Sequence, residues 1–438
     1  MGWGAVMGRF SPIGAATPDP CATARCQNAR MTDRSLLHSP ATVRARRRGV
    51  GRAASWRAFW AALALGLSVA PAAGVASEPG PPAGAATSTA ATDADCLHAA
   101  ADACYFGFDL PGDAGRMHYY ASRNPAAGPA AAPGSVLLVM HGHPRDANRT
   151  FDAALAAARA AGRLGDTLVV APLFQVPAAR AARCSTPGVP PAAPGDALWT
   201  CGSWLQGGLS RGGTRPIGAF EALDALLAEL QRQWPSLRTA TLFGFSAGAQ
   251  MLQHSIGLAA DPPPGMRLRY VIADPGSWLY FDPVRPTPQL AGQAVDWPAC
   301  GTGADFPGAC GFEFAPPAAS AACAGYDHWK YGTATWPAHL GRDATQARAR
   351  YAAADISYVE AALDSGSQRG AVYAILDQSC AARLQGPFRL QRGVAYVAYD
   401  RALLAPGRAR PFVTVPGCAH SVVCVLRSAA VRAAVFRD

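Results

Sequence analysis

A chain of 438 residues, half of them hydrophobic, can bury a large core and hold one large α/β domain or two smaller ones. Its formal charge of +10 would suit a nucleic-acid partner, but ten arginines against Asp19 and Asp33 concentrate +8 of it in residues 1–76. The 29 basic and 27 acidic residues that remain offer no basic face to a phosphate backbone, so nucleic acid is excluded.

The first 76 residues read as an export leader. Arg44-Ala-Arg-Arg-Arg48, Arg52 and Arg57 form a positive segment, Ala58 to Val75 carries no charge, and Ala72-Ala-Gly-Val-Ala76 suits cleavage after small residues. The uncharged stretch is barely long enough to span a membrane, and Pro71 with the small-residue end favours cleavage over an anchor. A periplasmic or secreted protein with no stable span after cleavage is expected. Residues 77–95, rich in Ala, Pro, Gly, Ser and Thr, read as a spacer, and a compact domain is expected over 96–438. Ten of the twelve cysteines lie beyond the leader, an even number that fits disulfides in an exported chain. Close spacing favours Cys96–Cys104 and Cys184–Cys201, with Cys300, Cys310 and Cys323 stapling one long loop.

From there strands and helices alternate. Arg116 to Ala121 alternates as a half-exposed strand, whereas Ser135-Val-Leu-Leu-Val-Met140 is the continuous apolar run of a strand buried on both faces. A helix over 151–162, a strand from Thr167 and a long loop over 175–216 follow. Ile217 to Trp234 carries Phe220, Leu223, Leu226, Leu227 and Leu230 on one helical stripe, and Pro235 stops it. Further strands are expected at 239–245, 268–274, 370–377 and 410–416, with helices at 247–259, 347–363, 388–404 and 423–436. Residues 276–342 have no clear period and are rich in proline, cysteine and aromatics, a lid-like insertion beside a site. The alternation predicts a doubly wound, mostly parallel sheet with its site at the carboxyl ends of the strands.

Thr239 to His254 is the stretch that carries chemistry: a β-branched apolar run, then Gly244-Phe-Ser-Ala-Gly248, then a helical pattern. That order describes a nucleophile elbow, where flanking glycines make room for a tight strand-to-helix turn. The pattern alone is weak, since chance supplies it about 0.2–0.3 times in a chain this rich in glycine. A second copy, Gly208-Leu-Ser210-Arg-Gly212, has no strand before it or helix after it and reads as loop. Ser246, Asp377 and His420 follow strands in the order nucleophile, acid, base. A serine hydroxyl needs an imidazole to take its proton, and a buried carboxylate to orient that imidazole. Asp274, at the end of the strand after the elbow, is the alternative acid. An oxyanion hole needs two amides, expected from Ala247 and from the His141-Gly142-His143 turn, with His143 as donor and Gly142 allowing close approach.

Over about 135–438 the chain resembles the α/β-hydrolase superfamily. Val139-Met-His-Gly-His-Pro-Arg-Asp-Ala-Asn-Arg-Thr-Phe151, His328-Trp-Lys-Tyr-Gly332, Asp377-Gln-Ser-Cys-Ala-Ala-Arg-Leu-Gln-Gly-Pro387 and Val415-Pro-Gly-Cys-Ala-His420 resemble a group of exported bacterial hydrolases within it. The resemblance implies Ser246 as nucleophile, His420 as base and the His-Gly turn as oxyanion loop. It says less of the acid, because relatives often carry a longer Gly/Asp-rich insert where this strand runs straight into Asp377.

The expected activity is carboxylic-ester hydrolysis through an acyl-enzyme, on a small-molecule or polymeric ester, with no cofactor and no metal. Trp204, Trp278 and Trp329 are the candidate pocket walls. Two alternatives stand beside it. One is a hydrolase fold that has lost catalysis and binds a partner. The other is a metal hydrolase using His141 and His143, although Asp146 falls one position late for a zinc-binding His-x-His-x-Asp run.

Overall fold

The computed structural model describes residues 96–126, 132–318 and 322–437. The expected leader and spacer lie outside the described residues. Strands β1 (Tyr105–Asp109) and β2 (Arg116–Ala121) form an antiparallel pair, followed by β3 (Ser135–Met140), helix α1 (Ala147–Ala160), β4 (Thr167–Leu173) and the short α2 (Ala178–Ala181). Then come α3 (Ala219–Gln233), β5 (Thr239–Phe245), α4 (Ala247–Ser255) and β6 (Arg267–Ala273). A separate small sheet of β7 (Arg285–Leu290), β8 (Gln293–Ala294) and β9 (Gly311–Ala315) interrupts the alternation. The chain closes with α5 (Ala344–Ala353), β10 (Ile356–Ala361), α6 (Cys380–Arg383), α7 (Arg389–Tyr399), β11 (Phe412–Val415), α8 (Val422–Arg427) and α9 (Ala429–Val435).

The main sheet has eight strands in the order β1-β2-β4-β3-β5-β6-β10-β11, and from β4 onward every neighbour is parallel. Strand β2 runs antiparallel to both of its neighbours. The period of two explains why β3 reads as an unbroken apolar run. Val136, Leu138 and Met140 point into one core with α3 and α4, while Leu137 and Val139 point into the other with α1, α8 and α9. Registers Met140↔Gly244 and Phe245↔Ala273 bring the ends of β3, β5 and β6 level, so whatever follows them meets above the sheet. Among the described residues no helix is long and apolar enough to cross a membrane.

The last third departs from the sequence reading. The helix expected over 347–363 stops at Ala353, and its second half is the central strand β10, paired with β6 on one side and β11 on the other. The strand expected over 370–377 is instead a turn around a short 3-10 segment, Tyr373–Ile375. Gly370 (φ 97°) and Val372 (φ 48°) have left-handed backbones that a strand cannot accommodate. The final helix is broken in two at Ser428. Residues 276–342 carry the small sheet, which their irregular period concealed.

Five disulfides join Cys96–Cys104, Cys184–Cys201, Cys300–Cys310, Cys323–Cys380 and Cys418–Cys424. The two expected from spacing are present. Cys323 does not stay within the long loop: it ties that loop to the start of α6.

Candidate active site

The turn between β5 and α4 is as tight as its sequence requires. Ser246 sits at φ 58°, ψ −122°, a conformation costly for any residue with a side chain. A Cβ on Gly244 would lie 2.6 Å from the Gly248 carbonyl oxygen, and one on Gly248 would lie 2.6 Å from that of Met140. Both glycines are therefore steric necessities, and the second lets α4 press against the end of β3. A strained serine follows the fifth strand of a sheet in the order 1-2-4-3-5-6 with its second strand antiparallel, and that combination decides the fold. The chain has the α/β-hydrolase fold.

Within this fold, His420 lies in the loop after β11, five residues past Val415. Its Nε2 is 2.8 Å from Ser246 Oγ, and its Nδ1 is 2.6 Å from Asp364 Oδ2. Asp364 follows β10 by three residues, and its Oδ1 also accepts from Arg389 Nη1 on α7 at 3.2 Å. The backbone fixes both partners: the His420 amide donates to Gly370 O at 3.1 Å, and the Asp364 amide to Ala361 O at 3.0 Å. Burial, with the Phe245 ring 4.6 Å away, lowers the pKa of His420, while its bond to Asp364 opposes that shift. A carboxylate accepts the Nδ1 proton, which leaves Nε2 as the acceptor facing the serine hydroxyl.

The expected acids are displaced. Asp377 does not reach His420. Its carboxylate takes Lys330 Nζ at 2.8 Å, the Tyr331 hydroxyl at 2.6 Å and the Ser379 amide at 3.0 Å. Burial would raise its pKa, but Lys330 and these donors hold it well below the carboxylate range. Asp274 is fully buried beside the site, yet its Oδ1 accepts the Ala361 amide at 2.7 Å and His420 turns to Asp364 instead. Asp364 is hidden in the sequence because the strand that delivers it, Ile356–Ala361, reads as the end of a helix.

The turn expected to supply the oxyanion hole is well braced. The Gly142 amide donates to Asp146 Oδ1 at 2.8 Å, so it is committed, and its carbonyl accepts from the Arg145 amide at 3.0 Å. Among the described residues the His143 amide meets no acceptor, and Ala247 stands in the first turn of α4, where amides lack an intrahelical acceptor. His141 cannot hold a metal. Its Nδ1 donates to Gly142 O at 2.8 Å and its Nε2 accepts the Phe174 amide at 3.3 Å, so neither nitrogen has a free lone pair. Among the described residues no cluster of three or more His, Cys, Asp or Glu side chains could hold a metal ion.

Ser210 is loop, as read, and its hydroxyl accepts the Ile217 amide at 3.0 Å. Two of the three candidate pocket tryptophans are core instead. Trp204 is fully buried against His141 and Phe174, and Trp278 is fully buried and stacked 4.3 Å from Tyr396. Trp329 is half-buried, its indole donating to Gln206 O at 3.1 Å.

No protein-family model and no curated protein matches the chain. Among solved structures it is similar to poly(aspartic acid) hydrolase-1 from Sphingomonas sp. KT-1, at 19% identity and TM-score 0.43, covering 73% of this chain and 94% of that one. It is also similar to a poly(3-hydroxybutyrate) depolymerase from Bordetella parapertussis, at 19% identity and TM-score 0.43, covering 77% and 91%. A siderophore hydrolase from Aspergillus nidulans stands at 13% identity and TM-score 0.36, covering 76% and 93%. The substrates in those names belong to those proteins.

Proposed function

We propose that the protein is an exported serine hydrolase that cleaves carboxylic esters through an acyl-enzyme, with Ser246 as nucleophile, His420 as base and Asp364 as acid. The observation that carries this reading is the unbroken chain Ser246 Oγ to His420 Nε2 to Asp364. In the first half-reaction, His420 Nε2 takes the hydroxyl proton as Ser246 Oγ attacks the ester carbonyl. Asp364 stabilises the imidazolium, and the amides of Ala247 and His143 receive the developing oxyanion. The imidazolium then gives its proton to the departing alcohol. Water repeats the sequence on the acyl-enzyme, with His420 again as base, and frees the acid.

Five disulfides support an oxidising destination. The exposed large hydrophobics of the described residues include Leu363, Val372 and Ile375, on the segment whose Gly370 carbonyl clamps His420, and Val423, in the first turn of α8 just after it. An apolar rim of this kind suits an ester with an apolar acyl or alcohol part, small or polymeric. The 276–342 segment would border it through Trp329.

A fluorophosphonate probe should label the protein. Labelling should vanish in Ser246→Ala and persist in Ser210→Ala, and persistence in Ser246→Ala sinks the assignment. A folded protein that neither labels nor turns over p-nitrophenyl esters would be a binding module instead. Turnover that is lost to a chelator would restore the metal reading.

A further inference from the structure

Behind the triad lies a second group of carboxyls that the chemistry above does not use. Glu360, on the central strand β10, and Asp274, just after β6, are both fully buried. Among the described residues, Asp274 Oδ2 and both oxygens of Glu360 meet no N–H or other donor. The groups facing them are each other, Asp364 and Arg389 of α7, with His420 beyond Asp364. An ionised carboxylate with no donor in such a place is very costly, and two side by side are costlier still. The cradle is built for the group all the same. A Cβ on Gly393, in the interior of the eleven-residue α7, would lie 1.8 Å from Glu360 Oε1, so that helix presents bare backbone to the carboxyl.

Asp274 is also wired to the catalytic acid. Its backbone is left-handed at φ 51°, and its amide donates to Val359 O at 3.1 Å. Its Oδ1 accepts the Ala361 amide at 2.7 Å, and the Ala361 carbonyl in turn accepts the Asp364 amide at 3.0 Å. The direction of Asp364 is thus set from Asp274 through one residue of β10.

We propose that Glu360 and Asp274 are positioning residues of the triad, a buried carboxyl pair in which a protonated Glu360 donates to Asp274 and so holds the turn that aims Asp364 at His420. The proposal rests on the triad reading. The electrostatics agree with it. Burial, and after it the charge of Asp364, pushes Asp274 up to about 8, while burial and then Asp274 push Glu360 well above the carboxylate range. The proton keeps the local charge at a level Arg389 can face: with both acids ionised, three carboxylates would share one guanidinium.

The test uses the folded enzyme, its fluorophosphonate labelling rate across pH, and thermal melting across pH. Glu360→Ala should cut the labelling rate at least tenfold, and Glu360→Gln should restore it to within threefold, because a carboxamide keeps the shape and donor of the protonated acid. The midpoint of the acid limb, which reports His420, should be the same in Glu360→Gln as in wild type. A midpoint lowered by a full pH unit means that a standing negative charge was removed, and this overturns the proposal. Melting supplies a readout independent of catalysis. Because the Glu360 pKa is raised in the folded state, its contribution is full below the ordinary carboxylate range and falls steadily as pH rises above that range. Wild type should therefore lose several degrees relative to Glu360→Gln between pH 5 and 8. A constant difference, or Glu360→Gln failing to fold, overturns the pair. If wild type is not labelled at all, the triad reading fails, and melting alone decides whether the pair holds its proton.

Discussion

Replacing Asp364 with asparagine tests the acid assignment most directly. The carboxylate sits 2.6 Å from His420 Nδ1, and both side chains are about 5% exposed or less, so water cannot take over the lost acceptor. A carboxamide that turns its NH2 toward the ring forces the proton onto Nε2, the nitrogen that must accept from Ser246. That wrong tautomer should cost about 10³–10⁴-fold in kcat, or roughly 4–5.5 kcal/mol of transition-state stabilisation. Asparagine still offers Arg389 an oxygen, so melting should change far less than turnover. Asp377→Asn serves as the comparison. It weakens the ion pair with Lys330 and the bonds from Tyr331 and Ser379, so melting should fall, but Asp377 bonds neither His420 nor Ser246 and turnover should slow less than about fivefold. The assay is p-nitrophenyl butyrate hydrolysis by the two variants beside wild type, with melting curves for each. A thousandfold loss in Asp377→Asn, with Asp364→Asn within tenfold of wild type, would refute the geometry-based assignment.

Three further outcomes follow from the same structure. The rate of Ser246 labelling should fall on acidification with a midpoint below the ordinary imidazole value of about 6.5, because burial disfavours the protonated ring and only the neutral form can act as base; a midpoint above 7 contradicts that burial. Gly248→Ala should lower the melting temperature by the equivalent of about 1–3 kcal/mol and depress turnover, since its Cβ would meet the Met140 and His141 carbonyls at 2.6 and 2.7 Å and push β3 with its oxyanion turn away from the elbow. Cys323→Ala opens a 57-residue loop and should cost up to about 4 kcal/mol in melting, with the acid-limb midpoint unchanged.

What could be read from the sequence was what local physics determines. The elbow declares itself through two glycines whose Cβ atoms would strike backbone. The strands β3, β4 and β5 declare themselves because burial on both faces leaves no charged residue to blur them. His420 was legible because the loop that bears it follows directly on β11. Trp204 and Trp278 misled because a large aromatic looks the same in a sequence whether it lines a cleft or fills a core. His141 misled for a related reason: a metal-like His-x-His spacing does not show that backbone claims both ring nitrogens.

The hardest feature to read was β10, and the cause is specific. Ile356-Ser-Tyr-Val-Glu-Ala361 pairs on both edges, yet it places a glutamate where a central strand should be apolar, directly after an alanine-rich helix. A charged residue at that position argues for an exposed helix unless it has given up its charge. The polar interruption that hid the strand, and Asp364 with it, is the residue the structure buries against Gly393 and Asp274. Single-sequence reading assigns glutamate a charge by default, and only the three-dimensional neighbourhood removes it. Glu360→Leu would erase the interruption and make β10 easy to read as a strand, but it would leave Asp274 without its donor. The expected result is a folded protein whose Ser246 labels at least tenfold more slowly.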